Sequence, residues 1–502
     1  PQIQNDLIKA IRSVLTDAIK KEVEQAHFVS ILLDETSDIS NISQLSSCFR
    51  YVDNNGNVQE RFISFCDVSD DKSSDGLLRH VETLINEYGI EKKIVAQTYD
   101  GAPVMAGSVG GLQALVTQKY PQALFVHCYS HVLNLILQQS VSNIKECNIF
   151  FITLSGIGAF FSKSPKRMNA MKKMVEKLLP KLVPTRWNFS SRLTNTVKEN
   201  RVPLIEFFEN VTDNPEEWNS ETVLQAGSSA SFLKSFQCCF LLEVFSLVFS
   251  HTDVLYDVLQ TKSMDIMYCC KRIEDVKAII KELRVNGFNK IWSNVQEKTD
   301  EQPRKRRSED PETTHRALFN EIMDNLYIQI TERFRSHHKL SFMSLLDSSA
   351  FSQMREKFPE EAFATLLELY NNHFDTLRLR NELTVMYSTS DQEMHDKPVY
   401  LMVKYMNEKQ LSLAMPEVYK LGLLILTIPA TTATVERSFS TLKRIKTYTR
   451  STQREDRLSG LALISIEKEL LVKLKNDPKV KFVDAVIEKF CSQTRRIDFM
   501  FK

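Results

Sequence analysis

The first apolar residues of the chain, Ile3, Leu7, Ile11, Leu15 and Ile19, recur at four-residue steps among Lys, Asp and Gln. That spacing predicts one face of an amphipathic helix over residues 1–25. The period then changes. Phe28 to Leu33 is a compact apolar run ending at Asp34. Leu45 to Val52 alternates loosely up to Asp53-Asn54-Asn55-Gly56-Asn57, and Arg61 to Val68 resumes the pattern. These runs predict three strands, the last two a hairpin about Asn55-Gly56. Ser73-Ser74-Asp75 can cap a helix carrying Leu77, Leu78, Val81, Leu84 and Ile85, and Gly89 can close it. Ile94 to Tyr99 reads as a fourth strand that delivers Asp100. After the loop Gly101 to Gly111 come a short helix to about Lys119, an apolar run Ala123 to Val126, and a long helix beginning near Cys128. The predicted order is βββαβαβ followed by a helix.

From about residue 136 to 410 strand signals nearly vanish and amphipathic helical segments dominate, for example Phe236 to Tyr256 and Phe363 to Leu377. Gln296 to Thr314 interrupts them with crowded Lys, Glu, Asp, Arg and Pro, as an exposed loop or linker would. The expected domains are a helix over 1–25, the first part of an α/β domain over 26–135, an all-α insertion over 136–410, and closing helices over 411–502.

Composition changes the picture little. The 502 residues allow about three ordinary domains or one domain with a large insertion. With 43% apolar and 25% charged residues the chain suits a helix-rich, well-cored protein. A formal net charge of +1 means that any nucleic-acid surface must come from local clusters of Lys and Arg. The nine cysteines lack the spaced pairs of a disulfide scaffold or zinc finger, which fits a reducing compartment. The apolar runs Leu421 to Ile428 and Val132 to Leu137 are too short to cross a bilayer, so no membrane partner is expected. The sequence starts at Pro1, which suggests a piece of a longer protein.

The chemistry starts from Asp34 and Asp100, each placed at the end of a separate buried-strand pattern. Carboxylates that converge at strand ends repel unless a divalent cation neutralises them. Such oxygen-rich sites suit Mg²⁺. Two ions roughly 4 Å apart would activate a water or a 3′-hydroxyl for in-line attack on a phosphodiester. Taken singly, however, each Asp is more often a strand-terminal turn residue. The pair needs a third acid.

Three stretches resemble hallmarks of hAT-superfamily DNA transposases: Leu33-Asp34-Glu35-Thr36-Ser37-Asp38, Tyr99-Asp100-Gly101-Ala102-Pro103-Val104-Met105-Ala106-Gly107, and Ala433-Thr434-Val435-Glu436-Arg437-Ser438-Phe439-Ser440. The resemblance implies an α/β fold, a ribonuclease-H-like mixed sheet interrupted by a large all-α insertion domain. It implies Asp34, Asp100 and Glu436 as catalytic, metal-binding residues for Mg²⁺ or Mn²⁺. Without it, Glu436 would be an ordinary first-turn acid favoured by the helix dipole. His127-Cys128-Tyr129-Ser130-His131 resembles the family's Cys-x-x-His motif near the active centre, with His131 touching the scissile phosphate or orienting water and Cys128 near DNA. A helix-start histidine held by local hydrogen bonds is the plain alternative.

Thr185-Arg186-Trp187-Asn188 resembles the family's Arg-Trp motif, whose indole stacks on a displaced base. Such stacking is worth ~1–3 kcal/mol. Two basic clusters are candidates for phosphate: one is Lys163, Lys166, Arg167, Lys172 and Lys173, followed by Lys177, Lys181 and Arg186, and the other Lys443, Arg444, Lys446, Arg450 and Arg454, with Arg437 beside Glu436. A Lys-rich helix face is more often simply solvated. Arg304-Lys305-Arg306-Arg307 reads as a nuclear-localisation candidate. The resemblance further implies a homodimer or higher oligomer joined through the C-terminal segment. Its partners would be transposon ends and target DNA, and its place the nucleus. The implied activity is cut-and-paste transposition with hairpins on flanking DNA. The alternative is a domesticated, non-cleaving regulatory protein.

Overall fold

The computed structural model describes residues 2–175, 178–180, 187–261, 265–299, 310–334, 338–389 and 397–492. Five strands, β1 (Val29–Ser37), β2 (Ser43–Val52), β3 (Val58–Asp67), β4 (Ile94–Tyr99) and β5 (Leu124–His127), form one sheet in the order β3-β2-β1-β4-β5. β1–β2 and β2–β3 pair antiparallel; β1–β4 and β4–β5 pair parallel. The turn and cap chemistry follows the sequence. Gly56 takes a positive φ of 77° in the hairpin, Ser73 accepts the Gly76 N–H, and Gly89 ends the Ser74–Tyr88 helix at φ 62°.

The first helix, α1 (Gln2–Gln25), differs from its expected stripe. Ile8, Val14, Leu15, Ile19 and Val23 are buried, while Ile3 and Leu7 are exposed. A four-residue step advances a side chain about 40° beyond a full turn. Ile3 and Leu7 nonetheless share the direction of the buried Ala10 and Val14, so their exposure belongs to the first two turns of the helix and not to its face.

Two compact units result. One contains residues 1–131, 259–269 and 337–502; the other contains 132–258 and 270–336. The expected all-α block 136–410 is therefore split, because residues 338–410 group with the sheet. All positions of β2 and β4 are buried, so both faces of the sheet need cover. Part of that cover comes from the Glu360–Tyr370 helix, whose Tyr370 hydroxyl donates to the Val95 carbonyl at 2.9 Å. More comes from the Pro416–Thr427 helix, whose Leu426 carbonyl accepts from Arg50 Nε at 2.9 Å. The C-terminal helices supply Leu458, Leu463, Leu470 and Phe482 to the same core as Ile31, Phe49 and Phe62. Full burial of each such side chain contributes roughly 1.5–3 kcal/mol.

The second unit is helical among its described residues and is cored by aromatic clusters. One joins Phe150, Phe151, Phe245 and Phe249; another joins Phe236, Phe288, Trp292 and His315. Its helix Phe236–Leu259 is long and apolar enough to cross a membrane by length and composition, yet 67% of its most apolar window is buried inside the protein.

A pH response is built into the sheet unit. Burial pushes His80 down to about 4, and its Nε2 lies 2.9 Å from Ser47 Oγ. The unfolded chain takes up the same proton near pH 6.5. Between those values the unfolded state binds more protons, so stability falls as pH falls. The expected loss is on the order of 2 kcal/mol by pH 4. Urea titrations across that range measure it, and His80→Gln is expected to flatten the profile there.

Candidate active site at the carboxyl ends of β1 and β4

The parallel register of β1 and β4 pairs Ile31 with Gln97 and Leu32 with Thr98. Two residues further along each chain stand Asp34 and Asp100, so adjacent strands bring the two aspartates to the same end of the sheet. One detail differs from expectation. β1 continues past Asp34 to Ser37 because β2 goes on pairing with it, Asp34 opposite Ser46. Asp34 thus lies within its strand, just past the last paired residues of β1 and β4. Both carboxylates cap local backbone: Asp34 accepts the Glu35 N–H at 2.9 Å and Asp100 the Ala102 N–H at 3.2 Å.

Glu436 sits in the first turn of the helix Ala433–Ile445. Contacts at several points fix that helix against the sheet. Ser438 Oγ lies 2.8 Å from Ser46 Oγ, the cross-strand partner of Asp34. The Tyr129 N–H donates to the Ala430 carbonyl at 2.9 Å, and the Thr432 N–H and hydroxyl reach the Cys128 sulfur at 3.3 and 3.2 Å. Cys128 in turn donates its N–H to the carbonyl of Tyr99, the residue before Asp100. At the far end of the helix Lys446 pairs with Asp38 in full burial. Glu436 is near enough to Cys128 for its charge to act there: burial first, and Glu436 second, push the thiol up to about 12.

The three acids predicted from sequence therefore lie on elements tied together at one end of the sheet. Their side chains have not closed on a common point. Among the described residues, no three His, Cys, Asp or Glu side chains form a group able to hold a metal ion. The donor set is the oxygen-only kind that suits Mg²⁺, and the backbone positions suit it. Asp34 and Asp100 each turn Oδ1 to a local N–H group.

Several expected DNA contacts have other roles. Cys128 is 1% exposed. Its sulfur accepts backbone N–H groups from His131 and Thr432, so it joins the start of the Tyr129–Ser142 helix to the loop before Glu436 and is not placed to touch DNA. Arg167 donates to the Phe160 carbonyl at 3.1 Å and the Thr222 hydroxyl at 2.8 Å. Lys166 donates to the Glu217 carbonyl at 2.5 Å and lies 4.0 Å over the Trp218 ring. These bonds link helices within the insertion. Lys446, counted with a phosphate-binding cluster, is buried against Asp38. Lys443 and Arg444 remain exposed on the Glu436 helix. Lys443 stands seven residues, about two turns, from Glu436 and so shares its face. Arg437 is exposed too, donating to the Thr434 hydroxyl at 3.0 Å and the Gln260 carbonyl at 3.3 Å. His131 is half-buried at the start of its helix. Trp187 opens the helix Trp187–Glu199; its side chain, Arg186, Lys177, Lys181 and the Arg304–Arg307 run lie outside the described residues.

Sequence reasoning missed the buried support beneath Glu436. Arg50 and Glu60 pair at 2.8 Å with side chains 4% and 5% exposed. Arg50 also holds the Leu426 carbonyl, and Glu60 accepts the Thr434 hydroxyl. The pair thus ties down both ends of the loop that leads into the Glu436 helix. Charged residues inside β2 and β3 were the available signal.

Mixed-sheet topology, paired strand-end aspartates and a late glutamate helix define the class: an RNase-like α/β body. Comparison makes it particular. Residues 1–111 match the family model of the ZMYM1/FAM200 RNase-like domain, and residues 401–470 match the hAT family C-terminal dimerisation region. The chain thus carries an RNase-like domain and an hAT family C-terminal dimerisation region. It is 22% identical over 535 residues to the human 52 kDa repressor of the inhibitor of the protein kinase, covering 98% of this chain and 68% of that protein. The mouse protein of the same name is 22% identical over 511 residues, covering 93% and 65%. A bovine general transcription factor II-I repeat domain-containing protein 2 is 26% identical over 120 residues, 23% of this chain and 13% of that one. The chain spans about two thirds of the length of the two repressors.

Proposed function

We propose that this chain is the catalytic body of a cut-and-paste DNA transposase that cleaves and rejoins DNA strands, working as a homodimer or higher oligomer in the nucleus. The observation that carries the reading is the register that sets Asp34 beside Asp100, with the Glu436 helix tied to the same strand ends. Asp34, Asp100 and Glu436 would hold Mg²⁺ or Mn²⁺. Bound there, the ions would supply charge neutralisation and an activated water or 3′-hydroxyl. The Glu35 and Ala102 N–H groups each take up Oδ1 alone, and a carboxylate that accepts one such bond can still hold a cation. The exposed Lys443 and Arg444 would meet phosphate, and His131 at the head of its helix would orient water or the scissile group. Incubation of the protein with DNA bearing its element's ends and Mg²⁺ or Mn²⁺ tests the reading through cleavage and hairpin products.

A second reading is a domesticated regulator that keeps the fold and dimerisation region and binds DNA or protein without cutting. Two of the relatives are named as repressors. Absence of divalent-dependent cleavage on any end-bearing DNA, with intact dimers by sedimentation, would decide for this alternative.

A further inference from the structure

A cavity of about 490 Å³ lies within the helical insertion. Its apolar wall is built by Leu242, Val295 and Val202, and its polar wall by Lys198, Arg201 and Lys298. The size lies within the range of small-molecule sites, which combine an apolar lining with a few converging polar groups.

The polar wall is organised about Glu243. Its side chain is 11% exposed and receives Lys198 on one oxygen at 2.9 Å and Lys298 on the other at 2.7 Å. Burial pushes the Glu243 carboxyl up, but the hydrogen bonds and charges of the two lysines outweigh it and hold it below its usual value. One carboxylate thus fixes two ammonium groups side by side. Arg201 adds a third cation, positioned by bonds from Nε to the Leu233 carbonyl at 2.8 Å and from Nη1 to the Lys298 carbonyl at 3.1 Å.

A structural ion pair needs one cation for one anion. Here three cations meet Glu243 and the rim residue Glu199, an excess of one positive charge in a half-enclosed space. Each ammonium has three N–H donors and gives one to Glu243. Among the described residues Arg201 Nη2 has no hydrogen-bond partner. These groups line one cavity together with the hydrocarbon of Leu242 and Val295, where an anion would form charge-assisted hydrogen bonds. We propose that the cavity binds a phosphorylated small molecule, its phosphoryl group on Lys198, Arg201 and Lys298 and its apolar body against Leu242 and Val295. The site stands whether or not the chain cuts DNA.

Calorimetric titration of the whole chain with inorganic phosphate and with phenyl phosphate tests it. Both are expected to saturate, phenyl phosphate about tenfold tighter through burial of its ring. Lys298→Gln is expected to weaken both about tenfold, Lys298→Arg to restore much of the binding, and Lys281→Gln, an exposed residue outside the cavity lining, to change neither. Lys198→Gln gives a second test if Lys298→Gln fails to fold by circular dichroism. No saturable binding overturns the proposal, as does equal affinity in either glutamine variant. Displacement of phenyl phosphate by a short DNA duplex would give the cavity to a DNA backbone and overturn the small-molecule assignment.

Discussion

Asp34→Asn is expected to abolish divalent-dependent cleavage of end-bearing DNA, by on the order of a thousandfold or more, while leaving the fold intact. The size follows from the kind of interaction removed. Loss of one preorganised group that stabilises charge in the transition state costs about 10²–10³ in rate, and a metal-ligating carboxylate also sets the affinity of the ion itself. The fold should survive because Asp34 is only half-buried and its bond to the Glu35 N–H can be made by an asparagine carbonyl. Removing one of two like charges on neighbouring strands relieves repulsion, so the melting temperature without metal is expected to stay level or rise. Mn²⁺ is expected to stabilise the native protein by mass action and the variant much less. That pair of measurements separates the two functional readings. A native protein that neither cleaves nor gains stability from Mn²⁺ is a domesticated body; one that gains stability but does not cleave retains the site and lacks a substrate or a partner segment. Full cleavage by the variant would remove Asp34 from the chemistry.

Much of this arrangement was legible in the sequence, and the part that was not shares one physical character. The strands, the Asn55-Gly56 turn, the Ser73 cap and the Gly89 stop are local, decided by periodicity and by residues whose backbone preferences are strong. The two early aspartates were legible for the same reason, since each closes an apolar run. Glu436 was not: nothing local distinguishes it from any first-turn acid, and only resemblance connected it to residues more than 300 positions away. The fate of residues 338–410 was equally hidden. Amphipathic helices that cover a sheet and helices that pack on one another show the same 3.6-residue stripe, so the pattern could not say that Tyr370 reaches Val95 while Trp292 packs with Phe288. Basic residues were misread for a related cause. A lysine that pairs with a buried Asp38 and one that faces solvent are the same letter, and Lys446 stood in a run of exposed cations.

That buried pair carries the second large expectation. Asp38→Ala is expected to destabilise the sheet unit by about 3–5 kcal/mol, the cost of leaving a buried charge without its partner. Lys446 and Asp38 have side chains 2% and 1% exposed, so water cannot replace either. Asp38 also accepts the Ser40 N–H at 2.7 Å and the Ile42 N–H at 3.2 Å, and the turn it organises includes Asn41 at φ 58°. Those bonds orient the chain between β1 and β2, just beyond Asp34. The same carboxylate therefore shapes the strand that carries one catalytic candidate and anchors the end of the helix that carries another. Urea denaturation of Asp38→Ala measures the loss. Combining Asp38→Asn with Lys446→Met removes both charges while keeping an acceptor for the turn, and is expected to recover most of it. A double variant no more stable than Asp38→Ala would show that the turn bonds, and not the unpaired ammonium, dominate. If the stable double variant still loses more than tenfold in Mn²⁺-dependent cleavage or stabilisation, the pair's contribution to function is the placement of the Glu436 helix, since folding has by then been restored.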